Sequence, residues 1–81
     1  MMKKVTVYST STCPYCVMLK RWFKENNIDY TEYLVDRNPI AAQQMVQLSK
    51  QMGVPFTTVE EDDQMTKIVG YDVAKLQTIF G

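Results

Sequence analysis

The residues best suited to chemistry in this 81-residue chain are Cys13 and Cys16, in the segment Cys13-Pro14-Tyr15-Cys16. Two thiols in this spacing can close and reopen a disulfide, hold part of a metal or iron–sulfur site, or anchor a haem. The rest of the composition narrows that set. A tetrahedral structural zinc needs four nitrogen or sulfur ligands. Here there are two cysteines and no histidine, so zinc would need a second chain or carboxylates, and no metal ligands are assigned. Haem attachment needs a histidine after the second cysteine, where this chain has Val17. The lack of histidine also removes Cys–His and Ser–His–Asp catalysis. Thiol–disulfide exchange remains, set against the alternative of two inert buried cysteines.

Exchange requires a thiolate, and a thiolate requires a favourable place. Lys4–Ser9 (KVTVYS) is short, β-branched and alternating, as in a strand. Thr10, Ser11 and Thr12 then carry loop and helix-start signals. Pro14 suits the first helical position, where its missing N–H would be unpaired anyway. From Pro14 to about Asn26, apolar Cys16, Leu19 and Phe23 recur at helical spacing. Cys13 therefore falls near the N-cap, where free N–H groups and the helix dipole favour negative charge. Such a position lowers a cysteine pKa below its free value of about 8.5. Cys16 lies one turn further in, so its sulfur can reach that of Cys13. Cys13 is expected to be the exposed nucleophile and Cys16 the buried resolving thiol. Pro14 stiffens the loop, and Tyr15 offers a flat surface beside the sulfur.

The rest of the chain alternates strand and helix. Ile28–Val35 (IDYTEYLV) reads as a second strand. Asn38–Pro39 opens a second helix, with Ile40, Ala41, Met45, Leu48 and Met52 as its buried stripe and Gly53 as its stop. Pro55–Val59 is a third strand, Glu60–Asp63 an acidic turn, and Gln64–Val69 a fourth strand. Gly70 breaks that strand, and Asp72 caps a last helix with Val73, Leu76, Ile79 and Phe80 inward. The expected architecture is one α/β domain over residues 1–81, in the order β1α1β2α2β3β4α3. It has a four-stranded mixed sheet flanked by three helices. Trp22 is expected to pack against the sheet or lie partly exposed. The six methionines are expected as gap-fillers in the core or at the terminus.

Hydrophobic residues make up 46% and charged residues 22%, with nine Lys+Arg against nine Asp+Glu. Without concentrated positive charge, no nucleic-acid or membrane partner is expected. No apolar run is long enough for a secretory signal or a membrane span. A monomer in the cytoplasm is the expected setting. A reducing compartment there disfavours structural disulfides.

A second signal is Gly53-Val54-Pro55. A proline at the start of a strand is either a plain loop proline or a cis residue kept for a purpose. In a fold of this order the turn faces the cysteine loop, where the Val54 backbone could pair with an extended substrate.

These features together resemble the glutaredoxins and their short relatives within the thioredoxin-like fold. The matching segments are VTVYS, TCPYC, VDRN, GVPFTTV and VGYD, and they span nearly the whole chain. The resemblance implies a sheet with the first strand central, a cis Val54–Pro55 bond and Cys13 as nucleophile. It also implies electrons from glutathione and its reductase or from thioredoxin reductase, with no bound cofactor. The partner it implies is a disulfide-containing protein, ribonucleotide reductase among the candidates. Glutaredoxins usually carry Lys or Arg three residues before the first cysteine; this chain has Thr10. They carry a Gly-Gly and an acidic pair near the last helix, where Ile68-Val69-Gly70-Tyr71-Asp72-Val73 keeps one glycine and one acid. Gly70 and Asp72 would then meet a γ-glutamyl end, and Arg37 a glycine carboxylate. Lys20, Arg21 and Arg37 otherwise read as solvated charges. The thioredoxin-like members show Trp-Ser-Gly-Phe where this chain has Ile68-Val69-Gly70-Tyr71. A rival implication is an iron–sulfur or metal carrier, two chains each giving one cysteine to a cluster.

Overall fold

The computed structural model describes residues 3–81, so Met1 and Met2, and the expectation that terminal methionines fill gaps, lie outside it. Strand β1 (Lys4–Ser9) leads to helix α1 (Pro14–Glu25), then β2 (Thr31–Leu34), α2 (Pro39–Ser49), β3 (Phe56–Glu61), β4 (Gln64–Val69) and α3 (Val73–Phe80). The strands lie in the order β2-β1-β3-β4. β1 runs parallel to β2 and antiparallel to β3, and β3 pairs antiparallel with β4. Element order, the mixed sheet and the central first strand are as expected.

Alternation along the strands divides the core between two faces. Val5 and Val7 of β1, Val59 of β3 and Ile68 of β4 meet Leu19 and Phe23 of α1 and Leu76 of α3, all buried. Trp22, Ile28, Tyr30, Tyr71, Ile79 and Phe80 close the margins of this cluster, half-buried. Phe23 lies at its centre, edge-on to Phe80 and Trp22. On the other face α2 contributes Ala41 and Met45 against Tyr8 and Phe56.

The structure corrects several boundaries. β2 is shorter than the expected Ile28–Val35: Ile28 is used in ending α1, and pairing with β1 runs only from Thr31 to Leu34. Asn27 takes a left-handed φ of 58°, and the Ile28 N–H bonds back to the Phe23 carbonyl. Helix α2 stops at Ser49 rather than Gly53. Lys50 takes the left-handed C-cap conformation, φ 61°, and the Ser49 hydroxyl donates to the Met45 carbonyl. Ending there leaves Met52 80% exposed, and Ile40 at the first turn is 69% exposed. Neither belongs to the buried stripe. Met18, Met52 and Met65 are exposed, and Met45 is the one buried methionine among the described residues. The acidic turn is narrower than Glu60–Asp63. Glu60 and Glu61 remain in β3, paired with Met65 and Gln64. Only Asp62 and Asp63 turn, with φ 53° and 67°, the left-handed pair that fits a two-residue hairpin.

Candidate functional site

The register of the sheet collects the singled-out residues at one end. β1 finishes at Ser9 and passes through Thr10, Ser11 and Thr12 to Cys13. Tyr8 pairs with Phe56, and Phe56 with Val69, so Pro55 and Gly70 leave the sheet at the edge where the cysteine loop begins. The Gly70 N–H donates to the Pro55 carbonyl at 2.8 Å. Gly70 holds φ 81°, the left-handed region where a side chain is disfavoured. The Val54–Pro55 peptide is cis. Val54 is half-buried and Pro55 buried.

Cys13 is the N-cap of α1 and Pro14 its first residue. The two cysteines form a disulfide, with their Cα atoms 5.2 Å apart. The Cys16 N–H donates to the Cys13 sulfur at 3.1 Å. The sulfur of Cys13 therefore does what a capping oxygen usually does, satisfying one of the orphan donors of the first turn. Cys13 is half-exposed and Cys16 is 0% exposed. Tyr15 is 61% exposed, and Thr12 also faces solvent. Chemically, this arrangement offers outside reagents one sulfur, set where negative charge is favoured, and keeps the second behind it.

Asp72 caps α3: its Oδ1 accepts from the Lys75 N–H at 3.1 Å. Asn38 caps α2 in the same way through Ala41. No group of three or more His, Cys, Asp or Glu that could hold a metal occurs among the described residues.

Two polar groupings at this end were not foreseen. Ser9, fully buried, donates through Oγ to Glu32 Oε2 at 2.6 Å. Lys20 of α1 reaches the same oxygen at 2.7 Å. Lys20 is thus a partner in an ion pair rather than a free solvated charge. Burial pushes the Glu32 carboxyl up, but the bonds from Lys20 and Ser9 and the charges of Lys20 and Lys24 outweigh it and hold the group below its usual value. The inward position of Glu32 in alternating TEYL was the available signal. The second grouping joins the cysteine loop to the turn after β2. Both the N–H and the hydroxyl of Ser11 donate to Asp36 Oδ2. These bonds, with smaller help from Arg37, hold the Asp36 carboxyl below the usual carboxylate range. A contact across 25 residues leaves no mark in local sequence pattern.

The glutaredoxin family model matches residues 5–63. A glutaredoxin-like 8.6 kDa protein from a rubredoxin operon of Clostridium pasteurianum is 33% identical over 75 residues, spanning 93% of this chain and 95% of the relative. A glutaredoxin of Neisseria meningitidis is 36% identical over 78 residues, spanning 94% and 87%. The glutaredoxin-like NrdH-redoxin of Escherichia coli shares the fold, with a TM-score of 0.75, 22% identity and coverage of 94% and 93%. Family match, full-length relatives and a disulfide-capable cysteine pair at a helix N-terminus together make this chain a member of the glutaredoxin family, within the thioredoxin fold, and a thiol–disulfide oxidoreductase in general character.

Proposed function

We propose that the protein reduces disulfides of other proteins through a dithiol–disulfide cycle in which Cys13 is the nucleophile and Cys16 the resolving thiol. The observation that carries this reading is the asymmetry of the pair. Cys13 is half-exposed and its sulfur receives the Cys16 N–H, whereas Cys16 is fully buried. In the reduced protein the Cys13 thiolate attacks one sulfur of a substrate disulfide. That bond breaks, a mixed disulfide forms, and the first substrate thiol leaves. Cys16, having lost its proton, then attacks the Cys13 sulfur and expels the second substrate thiol. Two electrons and two protons pass to the substrate, and the Cys13–Cys16 bridge remains. Val54 and Pro55, at the same end of the sheet, supply backbone for an extended substrate segment. Gly70 and Asp72 border that end.

Two electron donors fit the regeneration step: glutathione with its reductase, or thioredoxin reductase acting on the bridge directly. Thr10, uncharged where relatives bind a glutathione carboxylate, supports the second. The Asp72 carboxylate beside Gly70 supports the first. The oxidised site of a ribonucleotide reductase is a substrate of the proposed class.

A coupled NADPH assay run with each reductase in turn assigns the donor. In whichever system is active, Cys13→Ser should abolish turnover, and Cys16→Ser should accumulate the mixed disulfide, visible as added mass. Undiminished turnover of Cys13→Ser would reject the cycle.

A further inference from the structure

Two elements hold the nucleophile in place. From behind, α1 grips Cys13 through the Cys16 N–H on its sulfur and the Val17 N–H on its carbonyl. In front lies the turn Thr10–Thr12, which has no regular structure of its own to hold it. What crosses from this turn to another element is Ser11, whose N–H and hydroxyl both end on one oxygen of Asp36. Asp36 is itself firmly placed. The Val35 N–H extends the β1–β2 ladder by bonding the Ser9 carbonyl at 2.8 Å. Arg37 and Asn38 both bond the Leu34 carbonyl, and Asn38 starts α2. The clamp therefore ties the approach to the nucleophile to a turn braced by β2 and α2.

We propose that Asp36 is a positioning residue for Cys13. By holding Ser11 it fixes the turn that delivers the sulfur to the Cys16 N–H, and so maintains the thiolate. This rests on the reading of Cys13 as nucleophile. Asp36 could act in two ways, and they have opposite signs. As a clamp, it lowers the Cys13 pKa by keeping the sulfur on its Cys16 N–H donor. As a nearby negative charge, it raises that pKa by repelling the thiolate. The structure favours the clamp, because the carboxylate is engaged by two donors of Ser11.

Substitution separates the two. Asp36→Asn keeps an oxygen for Ser11 and removes the charge, whereas Asp36→Ala removes both. Thiolate absorbance near 240 nm as a function of pH, followed in each reduced protein, reports the Cys13 pKa. Asp36→Ala is expected to raise it by about one unit, so alkylation by iodoacetamide below the pKa slows about tenfold. The dithiol–disulfide equilibrium should shift toward the bridge by about the same factor, about 30 mV for two electrons. Asp36→Asn is expected to stay close to the parent protein. Ser11→Ala, which leaves the backbone donor and perturbs folding least, should shift the pKa in the same direction as Asp36→Ala but by less. An unchanged or lowered pKa in Asp36→Ala, or an equal rise in Asp36→Asn, would overturn the proposal; should Asp36→Ala not fold, an unchanged pKa in Ser11→Ala does so. A parent protein that fails to cycle in the coupled assay rejects the functional reading instead, a separate result.

Discussion

The two faces of the sheet are built differently. Beneath α1 and α3 lie Val5, Val7, Leu19, Phe23, Val59, Ile68 and Leu76, each 3% exposed or less. Beneath α2 the buried set is Tyr8, Ala41, Met45 and Phe56. There the neighbouring inward strand positions are Thr6 and Thr58 rather than valines. Helix α2 also leaves Ile40 exposed and Val46 partly so. The helix that carries both cysteines thus stands on the thicker core, while the helix that braces the neighbouring turn rests on a thinner one. In a domain of this size apolar surface is scarce. Spending it under α1 fixes the orientation of the first-turn N–H groups.

Four substitutions test that contrast, in order of expected effect. Phe23→Ala opens a cavity at the centre of the thick face and should cost about 3–5 kcal/mol, read from the urea midpoint. Met45→Ala on the thin face should cost about 2 kcal/mol, the low end for its type, because the half-buried Val35, Leu48 and Val54 at its margin can close around the gap. Equal losses would erase the distinction. Thr57→Val sharpens it from the other side. Thr57 lies on the α1 face, opposite Val7 and Ile68, with its hydroxyl buried and unpartnered. Removing that hydroxyl should stabilise the protein by about 1 kcal/mol. The smallest effect concerns Glu32, toward the cysteine end of the thick face. Its folded pKa lies below the usual 4.5, so its contribution is present above that value and lost as pH falls through the acid range. Glu32→Gln should therefore lose less stability than the parent on acidification, by under about 1 kcal/mol for a partly exposed pair.

How much of this was legible in the sequence depended on the range of the signal. The cysteine helix, the caps at Asp72 and Asn38 and the order of elements follow from residue type and periodicity over a few positions, and all appear as read. The end of α2 departs from the glycine signal because Lys50 adopts the left-handed conformation that glycine usually takes. The expected stop at Gly53 then drew Met52 into a stripe to which it does not belong. β2 is shorter than its alternating pattern suggests, because the β-forming Ile28 is used to close α1 and pairing with β1 begins only at Thr31. The Ser9–Glu32–Lys20 and Ser11–Asp36 groupings join positions brought together by the parallel pairing of β1 with β2 and, for Lys20, by the packing of α1. No local pattern encodes which polar side chains meet there. The bridged cysteine pair at the start of α1 is therefore readable in the sequence, and the polar frame around it is not.

The complete burial of Cys16 sets the direction of traffic at the bridge. In the proposed cycle a reductant striking the disulfide meets the half-exposed Cys13, and the first sulfur expelled is that of the buried Cys16. On that reading a small thiol or a partner protein forms its mixed disulfide at residue 13, and modification of the inner thiol requires the domain to open first.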